Sequence, residues 1–147
     1  MAQRTAGKVH WSLWLFAVVG IAFIVMAVAP LVSAARKPPY ERVGDEFIRA
    51  LARNQFEEAR KLTDFSALPE ERRDFKKKWE ERMIIWGEIE GVELIDSVPA
   101  PADLQHPRAA EGYRLEYHLK GYLTVGTAFV YVVPSDGDWK VVDYEFR

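Results

Sequence analysis

The chain has 147 residues, a length that predicts one domain, or one domain with an appendage. Hydrophobic residues make up 49% and charged residues 29% of the sequence, which excludes a disordered tail protein and a collagen-like fibre. The formal net charge of −2 argues against a nucleic-acid-binding protein, because such proteins carry a basic excess. Since the chain has no cysteine, disulfides, thiolate metal sites and a cysteine nucleophile are excluded.

The stretch from Trp11 to Ala35 is almost wholly apolar and contains no Asp, Glu, Lys or Arg. As a helix it would measure roughly 37 Å, which is enough to cross a hydrocarbon core about 30 Å thick. The sequence therefore predicts a short basic tail over residues 1–10 and a transmembrane helix over 11–35. Trp11 and Trp14 at one end and Tyr40 beyond the other are expected to lie at the two membrane interfaces.

A cleavable signal peptide is the alternative, since Val32, Ser33 and Ala34 resemble a small-residue cleavage site. The apolar stretch is longer than the hydrophobic region of about 7–15 residues that signal peptides have, which favours an uncleaved signal-anchor. Basic residues flank both ends of the stretch, so they leave the orientation open. A lone amino-terminal anchor commonly places the larger domain outside, which predicts a single-pass protein of the inner (cell) membrane with a periplasmic carboxyl-terminal domain.

Small side chains recur near one face of the predicted span, at Ala17, Gly20, Ala27 and Ala34. In lipid, small residues let a neighbouring helix approach closely. The spacing therefore predicts that the span packs against other integral membrane subunits, with membrane lipid as its other partner.

After a Pro-rich linker at 36–42, the chain predicts three helices. Apolar residues at helical spacing indicate the first helix, from Val43 to Leu51, and the second runs from Phe56 to Leu62. Pro69 suits the first position of the third helix, and Gly87 is placed to end it.

The second half of the chain predicts four strands, over residues 89–98, 113–120, 127–133 and 139–146. Gly91 indicates a bulge in the first strand, and Ser135–Asp138 is a hairpin turn. The predicted fold class is α+β: one amino-terminal transmembrane helix, then three helices packed on a curved four-stranded antiparallel sheet, with the globular domain at 43–147.

Two segments resemble a known superfamily. The sequence EFIRALARNQFEEARKLTD (Glu46–Asp64) is similar to the paired first helices of the nuclear-transport-factor-2-like superfamily, which has a cystatin-like cone, and DGDWKVVDYEF (Asp136–Phe146) is similar to its last hairpin. The chain also resembles small exported bacterial domains of this fold. The resemblance covers Val43–Arg147 and implies a pocket between helices and sheet. Enzymes of the superfamily typically place an Asp–His or Asp–Arg pair there, and no motif carries such a pair over to this chain.

His118 is the candidate general base, since Glu116 and Lys120 flank it on one face of a predicted strand. That polar face more simply indicates contact with solvent or an interface. Of the other histidines, His10 adjoins the apolar stretch and His106 lies in a Pro-rich loop. The sequence contains no HxH, HxxxH or HExxH spacing and no phosphate-binding glycine motif. These observations predict a protein that is not an enzyme and has no metal and no cofactor.

Basic residues cluster in the third predicted helix, at Arg72, Arg73, Lys76, Lys77, Lys78 and Arg82. Five acidic residues are interleaved with them, which favours a solvated helix face. Contact with anionic lipid headgroups is the alternative.

Two functions of different classes follow. The first is a non-catalytic, single-pass accessory or assembly subunit of a respiratory or photosynthetic membrane complex, whose domain covers the extracytoplasmic surface. The second is a membrane-tethered enzyme or small-molecule-binding module, whose pocket would be lined by Trp79, Trp86, Tyr113, Tyr117 and Tyr131. The first is favoured because the sequence lacks the clusters of titratable residues that catalytic pockets usually carry.

Overall fold

The computed structural model describes residues 18–19 and 37–147, and the chain divides into two compact units, Met1–Lys37 and Pro38–Arg147. In the first unit Val18 and Val19 are helical. The second unit runs through helices α1 (Pro39–Ala52), α2 (Phe56–Lys61) and α3 (Phe75–Trp86), then strands β1 (Ile89–Pro99), β2 (Tyr113–Gly121), β3 (Val125–Ser135) and β4 (Asp138–Phe146). Two 3-10 turns, Glu70–Arg72 and Ala109–Glu111, lie in the connections.

The four strands form one antiparallel sheet in which each strand pairs with the next along the chain, in the order β1-β2-β3-β4. Side chains alternate on β2, where Leu115, Tyr117 and Leu119 are buried and His118 and Lys120 are exposed. The buried face packs against the helices. The prediction of an α+β domain with three helices and a four-stranded antiparallel sheet is confirmed.

The predicted fold class included a transmembrane helix, and this prediction is wrong for the part of the chain that the structure describes. No helix there is both long and apolar enough to cross a membrane. The longest of these helices, α1, has 14 residues and is amphipathic. It would span only about 21 Å. The stretch on which the prediction was based, 11–35, lies outside the described residues except for Val18 and Val19.

Two helices begin elsewhere than predicted. Helix α1 begins at Pro39, inside the predicted linker, since a proline is tolerated in the first turn of a helix. Helix α3 begins at Phe75 instead of at Pro69, because the Asp74 carboxylate accepts a hydrogen bond of 3.1 Å from the Lys77 backbone N–H and caps a new helix.

Local turn signals in the sequence predicted the end of α3 and the position of the last hairpin. Strand β3, at Val125–Ser135, extends two residues beyond the predicted 127–133 at each end, so the hairpin turn is shorter than predicted. Helix α3 ends at Gly87, whose φ of 75° suits glycine. The turn between β3 and β4 places both Asp136 and Gly137 at positive φ, at 49° and 82°, as the twist of a tight hairpin requires. The predicted bulge at Gly91 coincides with a shift in the pairing of β1 with β2.

Candidate functional site

Aromatic side chains fill the space between helices and sheet, where the resemblance implies a pocket. Trp79 is fully buried and Trp86 is only 2% exposed. The Trp79 ring meets the Trp86 ring edge-on at 6.0 Å and the Phe146 ring at 5.4 Å, and Trp86 meets Phe146 at 6.0 Å. These are the packing geometries that aromatic rings prefer in a protein interior. Two of the five predicted pocket residues therefore lie in the core.

Tyr117 is also buried, on the inner face of β2, and its hydroxyl donates a hydrogen bond of 3.0 Å to the Asp45 carboxylate of α1. Burial, followed by the charge of Asp45, raises the pKa of Tyr117 far above its ordinary value. Burial likewise raises the pKa of Tyr144 on β4. Tyr117 therefore remains a protonated donor that joins α1 to the sheet.

The two raised pKa values predict a loss of stability at high pH. In the folded protein Tyr117 and Tyr144 keep their protons, whereas the unfolded chain loses them above about pH 10, so the free energy of unfolding falls as the pH rises beyond that point. Tyr117→Phe is expected to reduce this slope by up to about 1.4 kcal/mol per pH unit. Urea unfolding at about pH 9, 10 and 11 measures the slope. The exposed Tyr122→Phe is the control and should leave it unchanged; an equal effect of both variants would contradict the burial of Tyr117.

Tyr113 belongs to a second aromatic group, at the first residue of β2. Its ring stacks on that of Tyr40 with centroids 3.9 Å apart and planes 4° apart, and Trp139 packs against both rings at 5.4 and 5.9 Å. Tyr40, predicted to lie at a membrane interface, thus fixes the beginning of α1 to the sheet. Tyr113 is half-buried in this group and packs against the edge of the core that contains Trp79.

Tyr131 lies on the other face of the sheet. Its neighbours Val130 and Val132 on β3 point into the core, so Tyr131 points away from the helices. It lines a shallow groove of about 510 Å³ together with Pro69, Glu71, Pro101, Asp103, Leu104, Gln105 and Asp143. Of the five predicted pocket residues, Trp79, Trp86 and Tyr117 therefore lie in one core. Tyr113 packs against the edge of that core, and Tyr131 lies on the other face of the sheet.

His118 lies on the exposed face of β2, paired with Glu93 on β1 and Thr127 on β3. His106 lies in the loop after β1, where its Nδ1 accepts a hydrogen bond of 3.1 Å from the Arg108 backbone N–H. Within residues 18–19 and 37–147, no group of three or more His, Asp or Glu side chains is placed to hold a metal ion. His118 thus lies on an open surface and not in a cleft.

The other predicted site residues fall outside the described residues. They are the interfacial Trp11 and Trp14 and the small residues Ala17, Gly20, Ala27 and Ala34.

Exposed apolar side chains that the sequence did not predict lie on two neighbouring segments. Ile84 (80% exposed) and Ile85 (54%) belong to the last turn of α3. Tyr122 (75%), Leu123 (64%) and Val125 (60%) belong to the β2–β3 connection and the first residue of β3. These five residues are here called the apolar tip. Backbone hydrogen bonds hold it together: the Leu123 N–H donates to the Trp86 carbonyl at 2.8 Å and the Tyr122 N–H to the Glu88 carbonyl at 2.9 Å. The run YLTV between Gly121 and Gly126 is the signal that could have indicated it, since polar residues are usual in such a connection.

The predicted basic cluster is divided between two environments. Lys76, Lys77 and Lys78 are exposed on α3. Arg72 instead contacts β4: its guanidinium donates to the Asp143 carboxylate at 2.6 Å and to the Tyr144 carbonyl, and the Tyr144 hydroxyl donates to the Arg72 carbonyl at 2.7 Å. Arg72 therefore stabilises the domain, whereas the three lysines lie at the surface, where Lys76 pairs with Glu80 at 3.9 Å.

The comparisons with known proteins identify no relative. No family model matches the chain, and no curated protein or solved structure matches it.

Proposed function

We propose that the protein is a non-catalytic accessory subunit of a multi-subunit membrane complex. In this proposal the apolar segment 11–35 attaches the chain to the inner (cell) membrane and contacts other integral membrane subunits. The domain 38–147 lies at the extracytoplasmic surface of the complex.

The filled aromatic core is the observation that carries the non-catalytic part of the proposal. Ligand pockets are concave and bring a few polar groups together, whereas Trp79, Trp86 and Phe146 occupy this volume with ring-to-ring contacts. The candidate base, His118, lies on the opposite, exposed face of the sheet. A general base must lie within hydrogen-bonding reach of a bound substrate, whereas His118 is exposed to solvent on β2.

The sequence supports attachment to the membrane. An uncharged run as long as 11–35 is costly to expose to water, and the apolar interior of a bilayer accommodates it. The domain begins at Pro38, so two residues, Arg36 and Lys37, separate it from the apolar segment.

Purification in a mild detergent tests the proposal. The tagged full-length chain is expected to co-purify in fixed stoichiometry with a membrane complex. The amount of complex recovered is expected to fall at least about tenfold for the triple variant Ala17→Leu, Gly20→Leu, Ala27→Leu, because larger side chains prevent close contact between helices in lipid.

The matched control changes three apolar residues of the same segment without adding bulk at the small positions: Ile21→Leu, Val25→Leu and Val28→Leu. This variant should co-purify as the unchanged chain does. A chain that purifies alone, and whose melting temperature rises with one compound of a metabolite library, would contradict the subunit proposal and favour a tethered ligand-binding module.

A further inference from the structure

The apolar tip exposes five large hydrophobic side chains on two segments that backbone hydrogen bonds join. Their summed exposed surface is on the order of 500 Å². Four of the five are aliphatic, and the fifth, Tyr122, has the amphipathic ring that favours the headgroup region of a membrane. We propose that the apolar tip inserts into the lipid bilayer that holds segment 11–35, so that two separate points attach the protein to the membrane. This inference depends on the proposed membrane attachment.

The size and form of the tip favour lipid over a second copy of the chain. A standard protein interface takes about 800 Å² from each partner, which is more than the tip exposes. Tyr122 and Leu123 project from a short connection between two strands, and fluid lipid imposes no shape requirement on a projection. Because segment 11–35 already holds the domain at the bilayer, insertion of the tip is effectively intramolecular and a weak contact suffices.

The charges near the tip carry no basic excess. Lys120 pairs with Glu90 at 3.6 Å, and Arg82 on α3 and Glu88 after it contribute one charge of each sign. Glu81, four residues before Ile85 on α3, adds a further negative charge. Insertion therefore depends on the apolar side chains, and a bilayer of zwitterionic phosphatidylcholine should support it.

The tip lies at the far end of β2 from the residues at which the chain enters the domain. The chain enters at Pro38 beside Tyr40, which stacks on Tyr113 at the first residue of β2. The tip follows Gly121, the last residue of that nine-residue strand, about 27 Å away.

Single-cysteine labelling tests the inference, because the natural chain has no cysteine. The full chain carrying Leu123→Cys is labelled with a fluorescent thiol reagent and reconstituted into phosphatidylcholine vesicles, with or without nitroxide groups on the acyl chains. Nitroxide lipids are expected to reduce the emission at least about twofold, since an interfacial tip lies near the headgroup–acyl boundary. Adding Tyr122→Ser and Ile84→Ser to the labelled chain should remove most of the quenching.

A label at Val18→Cys, within segment 11–35, distinguishes failure of this inference from failure of the proposed function. Quenching of both labels supports two-point attachment. Quenching at Val18→Cys alone overturns the inference about the tip and leaves membrane attachment intact, whereas quenching at neither position overturns both. A label at Leu123→Cys that is protected from aqueous iodide but unaffected by nitroxide lipids identifies a protein contact, a second copy included, and also overturns insertion.

Discussion

Trp79→Ala is expected to lower the free energy of unfolding by about 3–5 kcal/mol, the range for truncating a buried large aromatic residue. Trp79 is fully buried and contacts Trp86 and Phe146, so alanine would leave a cavity where α3 meets β4. Domains of this size are typically stable by only about 5–15 kcal/mol, and the variant is therefore expected to be close to unfolding. Urea unfolding of the full-length chain in mild detergent, followed by far-ultraviolet circular dichroism, measures the loss.

Two variants serve as controls for this prediction. Trp79→Phe keeps an aromatic ring and removes an indole N–H that has no hydrogen-bond partner within the described residues, so its loss should be well below that of Trp79→Ala. Ile84→Ala, on the same helix but 80% exposed, should change stability by no more than about 0.5 kcal/mol. If Trp79→Ala were as mild as Ile84→Ala, the aromatic core would not be filled as described, and a ligand-binding cavity would become the better explanation.

Local signals explain which parts of the fold were predictable. Gly87, Asp136 and Gly137 determine a helix end and a hairpin turn by their own backbone preferences, and their positions can be read from the sequence. The start of α3 was predicted at Pro69 and lies at Phe75. Packing favours the later start, because a helix from Phe75 places its ring 6.2 Å from Phe47 of α1. That contact involves residues far apart in the chain.

The candidate site was less predictable than the fold, because its features are formed by distant segments. Aromatic residues spaced like Trp79 and Trp86 indicate a buried helix face. The spacing does not show whether these rings face an open pocket or pack against another side chain such as Phe146. The apolar tip likewise joins Ile84 of α3 to Leu123 of the β2–β3 connection. The sequence around Tyr122 and Leu123 indicates only a connection between two strands. It does not show that the end of α3 lies beside them.

Strand β4 lies at one edge of the sheet, and its outer side is partly covered. Near its start, Val141 exchanges backbone hydrogen bonds of 2.9 Å with Leu62 and Asp64. Farther along, the Arg72 guanidinium contacts the Tyr144 carbonyl, and the Asp143 carboxylate accepts both from Arg72 and from the Tyr144 backbone N–H. Covered edge groups cannot pair with a strand of another chain.

Arg72→Ala is expected to destabilise the domain by about 1–3 kcal/mol at pH 7, because it leaves a half-buried carboxylate without its charged donor. Burial raises the pKa of Asp143, and the attraction of Arg72 counteracts that rise. Without Arg72 the pKa of Asp143 rises further. A carboxyl group whose pKa is raised by folding destabilises the folded protein above its unfolded pKa of about 3.9, and protonation removes that penalty as the pH falls. The loss caused by Arg72→Ala should therefore be smaller at about pH 4 than at pH 7.

Urea unfolding at both pH values, for three variants, separates the charge of Arg72 from its shape. Arg72→Lys keeps the positive charge but cannot reach the Asp143 carboxylate and the Tyr144 carbonyl with the same planar fork, so an intermediate loss is expected. Lys77→Ala, exposed on α3, should have little effect at either pH. Equal losses for Arg72→Ala at the two pH values would show that Arg72 acts by packing alone. A smaller loss at low pH shows that the ion pair with Asp143 holds the 3-10 turn against the edge of the sheet.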